Sequence, residues 1–179
     1  MNDLQSLPLE QVTFDKIYPV ATFGTLRWGW NGQKAGGNHH LMKGYSAHKK
    51  AFLPHFIAES LAIHHKRNSC APFEIFEYDE VNYNKMIPRV DALESFNPNR
   101  KQFDEYYYHR TLANLRVLPD DFNHELFNKI DLWRERDLDI PSSQWEQFPI
   151  MRCWIYSSIK ENRLSLKYDD SPVIWMGTE

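Results

Sequence analysis

The sequence predicts an α+β domain, on three observations. Strand-like apolar runs occur at residues 17–23, 72–78, 106–117 and 150–157. Helix-like segments fall near 88–96 and 119–133. The two kinds do not follow the regular strand–helix alternation of a doubly wound sheet. With 179 residues, a single domain over 1–179 is expected.

In chain order, residues 1–16 mix polar and apolar positions and read as a lead-in lying on the sheet. Residues 17–23 are mostly apolar, as in a strand buried on both faces. Gly29, Gly32, Gly36 and Gly37, with Trp28 and Trp30, mark a loop that is either a lid or a surface loop with its Trps tucked in. Asn38 is placed to cap a helical turn over His39-His40-Leu41-Met42. Residues 50–65 fit either a helix starting near Pro54 or two short strands broken at Pro54-His55. Residues 72–78 alternate apolar and acidic, the half-buried strand pattern.

Residues 79–86 are polar, and Pro88 suits the first turn of a helix. Val90, Leu93 and Phe96 form its expected buried stripe, and Asn97-Pro98-Asn99 its end. Residues 106–117 are rich in Tyr, Thr, Leu and Val and read as a long strand. Pro119-Asp120-Asp121 opens an expected helix whose apolar face is Phe122, Leu126, Phe127, Ile130 and Trp133. Residues 138–143 look like a linker, and strands follow at 150–157 and 173–175.

Composition narrows the partners. The net charge of −3 shows no dominant basic face, so nucleic acid is not expected; His64-His65-Lys66-Arg67 reads as a solvated loop. No apolar run approaches the ~20 residues of a membrane span, and residues 1–6 lack a secretory pattern, so a cytoplasmic location is expected. Two cysteines, Cys70 and Cys153, make no disulfide framework. Aromatic residues at 15% suit a ring-filled core or an aromatic-lined pocket.

Most enzymatic chemistries lack their residues. The eight histidines include the adjacent pairs His39-His40 and His64-His65, which point to different faces, and neither His-Glu-x-x-His nor Cys-x-x-Cys occurs; no metal or cofactor is expected. No Gly-x-Ser-x-Gly elbow is present, and neither cysteine has cationic surroundings.

What remains is a turn and a carboxylate. Phe23-Gly24-Thr25-Leu26-Arg27 reads as a strand running into a Gly-centred turn, whose successive N–H groups can cradle an anion. Glu94 sits near a helix C-terminus between Leu93 and Phe96, where both the dipole and desolvation raise a carboxylate pKa. A surface Glu on a short helix fits the same pattern; the functional alternative is a general base working near neutral pH.

An ordered series of segments resembles the γ-glutamylcyclotransferase-like superfamily, in particular its γ-glutamylamine cyclotransferase and AIG2-like branch. The series runs Phe23-Gly24-Thr25-Leu26-Arg27, Asn38-His39-His40-Leu41, Phe73-Glu74-Ile75-Phe76-Glu77-Tyr78-Asp79, Val90-Asp91-Ala92-Leu93-Glu94-Ser95-Phe96, Tyr108-His109-Arg110 and Trp154-Ile155-Tyr156. The resemblance implies a mixed β-barrel flanked by helices. It implies cyclisation of a γ-glutamyl compound to 5-oxoproline with release of an amine, needing no cofactor. Glu94 would be the general acid/base, with Phe23, Gly24, Thr25, Leu26, Arg27, Tyr108 and Tyr156 around the substrate. Phe23 stands where the family has Tyr, Ser95 and Phe96 where it has Gly and Tyr, and the helical segment near 120–140 lies outside its pattern. A non-catalytic module on the same scaffold, binding a small molecule or a protein, is the alternative.

Overall fold

The structure is a computed structural model that describes residues 5–6, 16–24, 26, 38–59, 62–94, 109–128, 134–157 and 173–175. Seven strands are present: β1 (Gln5–Ser6), β2 (Tyr18–Thr22), β3 (Ala47–Glu59), β4 (Ala62–Tyr78), β5 (His109–Val117), β6 (Ile150–Ser157) and β7 (Val173–Trp175). The order β5-β3-β4-β2-β6 closes on itself through β5–β6 pairing, giving a five-stranded mixed barrel. Its β2–β6 pair is parallel, and its other pairs are antiparallel. β7 and β1 extend the sheet from β5.

Side-chain alternation explains the layers. Ala21, Phe23, Ala51, Leu53, Ala71, Phe73, Ile75, Ala113, Leu115, Cys153 and Ile155 form one buried cluster, the barrel interior. The intervening residues face outward and are covered in two places. Helix α1 (Glu80–Leu93) lays Met86, Ile87 and Val90 over Val20, Phe76, Tyr78, Leu112, Trp154 and Tyr156. Residues 118–128 and 134–148 lay Leu118, Phe127, Leu138, Ile140 and Trp145 over Phe52 and Cys70. Covered outside as well as packed inside, residues 72–78 are buried on both faces rather than one. Their acids are accommodated by partners: Glu74 meets His48 at 2.8 Å, and Glu77 meets Lys49 at 2.9 Å.

Several elements differ from expectation. Of the ambiguous 50–65 stretch, residues 50–59 and 62–65 are strand; the break at Pro54-His55 is a bulge inside β3, with His55 at φ 63° and its Nδ1 accepting from the Asn68 N–H at 3.1 Å. His64-His65-Lys66-Arg67 lies on β4, not in a loop. Helix α1 begins eight residues before Pro88, capped by Asp79, whose carboxylate accepts from the Asn82 N–H at 2.7 Å. Pro88 is therefore inside the helix, and Leu93 is 40% exposed instead of buried. The helix expected from Pro119 is a turn followed by a short α2 (Glu125–Asn128); Ile130 and Trp133 lie outside the described residues.

The supposed linker at 138–143 is tied to β4. Leu138 N–H donates to the Cys70 carbonyl at 3.0 Å, and Trp145 Nε1 donates to the Ile140 carbonyl at 2.9 Å. Phe96 and 97–99 lie outside the described residues, as do 106–108 of the long strand.

Candidate functional site

β2 delivers the chain to the glycine turn. After Thr22, Phe23 turns inward against Phe73, with ring centroids 5.4 Å apart, so its side chain serves the barrel core. Gly24 follows at the barrel end, and Leu26 buries its side chain among Met42, Ile87 and Val90 beneath α1. Thr25, Arg27 and Tyr108 lie outside the described residues.

The segment after the turn is anchored by a 3-10 turn at His39–Met42. His39 Nδ1 donates to the Leu26 carbonyl at 3.4 Å. Burial pushes the His39 pKa below 6.5, which keeps the ring neutral near pH 7. Tyr78 Oη donates to the Met42 carbonyl at 2.7 Å and fixes the other end. Asn38 occupies the cap position, but its side chain makes no cap hydrogen bond. Gly44, at φ 85°, then passes so close to α1 that a Cβ there would meet Asn82 Oδ1 at 3.0 Å.

α1 supplies the acid. Glu94 is its C-cap residue, with its N–H bonded to the Val90 carbonyl at 3.0 Å. Because i and i+4 share a helix face, Glu94 continues the face that Val90 buries. Desolvation raises its pKa from 4.5 to about 7. The carbonyl end of the helix dipole acts in the same sense. A carboxylate with that pKa exchanges protons in both directions near neutrality.

A strut joins this helix end to the barrel. Tyr156 Oη on β6 donates to Asp91 Oδ1, one turn before Glu94 on α1. β6 runs parallel to β2, pairing Val20 with Trp154 and Ala21 with Ile155. Continuing that register sets Thr22 level with Tyr156 and brings the Gly24 turn to the end of the barrel that carries the strut. On its other side Thr22 pairs with Glu74 of β4. Glu74 is only 1% exposed and bonds His48 Nε2. Phe76 lies among His39, Tyr45 and His48, with ring centroids 4.9–5.5 Å away.

Asp91, Glu74, His48 and Thr22 were not singled out by their sequence context. Alternation along β4 was the available signal for Glu74, but a half-buried strand would turn that carboxylate to water. Chemically inert groups are also identifiable. Burial pushes Cys70 up to about 12 and Cys153 well above its ordinary value, so neither thiol is a nucleophile. Among the described residues, no three His, Cys, Asp or Glu side chains are grouped to hold a metal ion. Nor does any helix among them have the length and apolarity to cross a membrane.

No family model matches the chain, and no curated protein matches it. Among solved structures, it is similar to the crystal structure of an AIG2-like protein (GGACT) from Mus musculus, at 18% identity and a TM-score of 0.45, covering 88% of each chain.

Proposed function

We propose that this protein is a γ-glutamylcyclotransferase-type enzyme that cyclises a γ-glutamyl amine or peptide to 5-oxoproline and releases the amine. The observation that carries the proposal is Glu94. It is a carboxylate raised to about 7 on a helix end that Tyr156 and Asp91 tie to the strand beside the Gly24 turn.

In this reaction the substrate's own α-amine attacks its γ-carbonyl carbon, so the enzyme needs no nucleophile. Glu94 takes a proton from the α-ammonium. The new C–N bond forms and charge develops on the carbonyl oxygen; Glu94 returns its proton to the departing nitrogen as the old C–N bond breaks, and the surplus proton on the ring nitrogen passes to the released amine, which leaves as an ammonium ion. Backbone N–H groups at Gly24, Thr25 and Leu26 bind the substrate carboxylate or the developing oxyanion. On the family resemblance, Arg27, Tyr108 and Tyr156 are assigned to substrate binding. Holding the chain folded so that its ends meet supplies the rest of the acceleration.

The test is 5-oxoproline formation from a panel of γ-glutamyl amines and peptides. Glu94→Gln should abolish turnover and retain binding; unchanged turnover rejects Glu94 as the acid/base. A second reading, a non-catalytic binding module, is favoured by Phe23, whose ring is packed in the core and brings no hydroxyl to the turn. A tightly held ligand recovered with the purified protein, together with no product from the panel, would establish that reading instead.

A further inference from the structure

One buried polar group is left over by the fold and by the proposed chemistry. Thr22 ends β2, is 4% exposed, and its Oγ1 has no hydrogen-bond partner among the described residues. Buried hydroxyls are ordinarily paired, and one that is not calls for an explanation. Its direction follows from alternation: Ala21 and Phe23 belong to the barrel interior, and Val20 belongs to the outer cluster beneath α1. Thr22 therefore shares the outer face with Val20, immediately before the Gly24 turn.

The groups around that face are largely acidic. Glu74 is its direct cross-strand partner, buried and bonded to His48. On the β6 side, the parallel register sets Tyr156 level with Thr22, and Tyr156 leads to Asp91, with Glu94 one helical turn further on. His39, which also feels Glu74, is held neutral by burial and so does not offset these carboxylates at pH 7. Lys50 lies across β4 from Glu74 in the register but turns its Nζ to the Phe122 carbonyl at 2.8 Å, on the face covered by residues 118–148. An unpaired hydroxyl acceptor beside carboxylates is a setting for a cation rather than an anion.

Resting on the cyclotransferase reading, we infer that Thr22 Oγ1 accepts a hydrogen bond from the substrate's α-ammonium and orients it toward Glu94. Thr22 is then a substrate-binding residue that selects for a free α-amine. The carboxylate end of the substrate is left to the backbone N–H groups of the turn. The residue is specific to recognition, because its hydroxyl contributes no hydrogen bond to the described fold.

The experiment compares wild type, Thr22→Val and Thr22→Ser. Valine keeps the β-branched shape and removes the hydroxyl. Steady-state kinetics with a γ-glutamyl amine should show KM raised about ten-fold in T22V, the effect of one hydrogen bond to a charged group, and changed little in T22S. Binding of glutaric acid monoamide, which lacks the α-amine, should be the same in wild type and T22V by calorimetry. Thermal stability of T22V should not fall. An active wild type with unchanged KM in T22V overturns the inference alone, as does equal loss of monoamide binding. A wild type that neither forms 5-oxoproline nor binds the γ-glutamyl amine overturns the cyclotransferase reading and this inference with it.

Discussion

Tyr156 on β6 donates its phenolic hydrogen to Asp91 on α1, and this bond couples the barrel wall to the helical turn that ends in Glu94. Tyr156 belongs to the outer cluster that also holds Leu26 from the glycine turn. The strut thus spans the two halves of the candidate site.

Tyr156→Phe removes the donor and leaves the ring packed. Hydrogen bonds to charged groups contribute about 1.5–3 kcal/mol, so urea unfolding should show a loss in that range. Because the bond positions the helix end, kcat should fall more than KM rises. Asp91→Asn should reproduce the kinetic effect. A Y156F protein with unchanged kcat would show that the strut supports the fold only.

Glu94 links activity and stability to pH in opposite directions. Its folded-state pKa is about 7 against 4.5 when unperturbed, so the folded protein holds this proton more tightly than the unfolded chain. Stability from this group is complete below pH 4.5, declines as pH rises through the window to 7, and stays lost above it. Ionisation should therefore cost on the order of 1–3 kcal/mol above pH 7, with partial exposure keeping it in that range. Glu94→Gln should remove the decline and unfold later than wild type at pH 8. In the wild type kcat/KM should rise through about pH 7 as the base form appears. Parallel denaturation curves for the two proteins from pH 5 to 8 would rule out the raised pKa.

What could be read in the sequence was local. Gly24, Glu94 and Tyr156 stand in short ordered motifs, and β2 and β6 are apolar runs whose extent follows from hydrophobicity. The start of α1 was hidden because its first two turns carry few apolar residues. Val81 is exposed, and Tyr83, stacked on Tyr18 at 4.8 Å, is only partly buried at the edge of the core. The burial of Glu74 depends on His48, which is 26 residues away and adjacent only after β3 and β4 pair. Such long-range partners leave no periodic trace. The same limit made residues 138–143 look like a linker, since the hydrogen bonds to Cys70 exist only in the folded chain.

That stretch should behave as core. Trp145 is buried, packs on Phe52 and His55 with ring centroids 6.0 and 4.8 Å away, and ties its indole N–H to Ile140. Trp145→Ala should cost about 3–5 kcal/mol, the range for deleting a buried aromatic ring. Chemical denaturation gives the value. A loss below about 1 kcal/mol, as at an exposed surface site, would mean that residues 118–148 do not cover the barrel in solution.

Pro88 tests whether the line of α1 matters to the acid it carries. Its ring is exposed, so alanine there forfeits little packing. It lies inside a helix of 14 residues, where it cannot donate to the Asn84 carbonyl and its ring crowds the preceding turn. An interior proline costs about 3 kcal/mol against alanine in a free helix, and packing of α1 against the barrel offsets part of that. Pro88→Ala should therefore raise stability by about 1–2 kcal/mol. By restoring the missing N–H it should also change the geometry of the last turn, shift Glu94 relative to the Gly24 turn and lower kcat several-fold, because small displacements of an acid/base group are costly. Urea unfolding and 5-oxoproline production, measured on the same preparation, separate the two effects. A variant that is more stable and equally active would show that the proline is incidental to catalysis. One that is less stable would show that the neighbours of α1 are built around the proline.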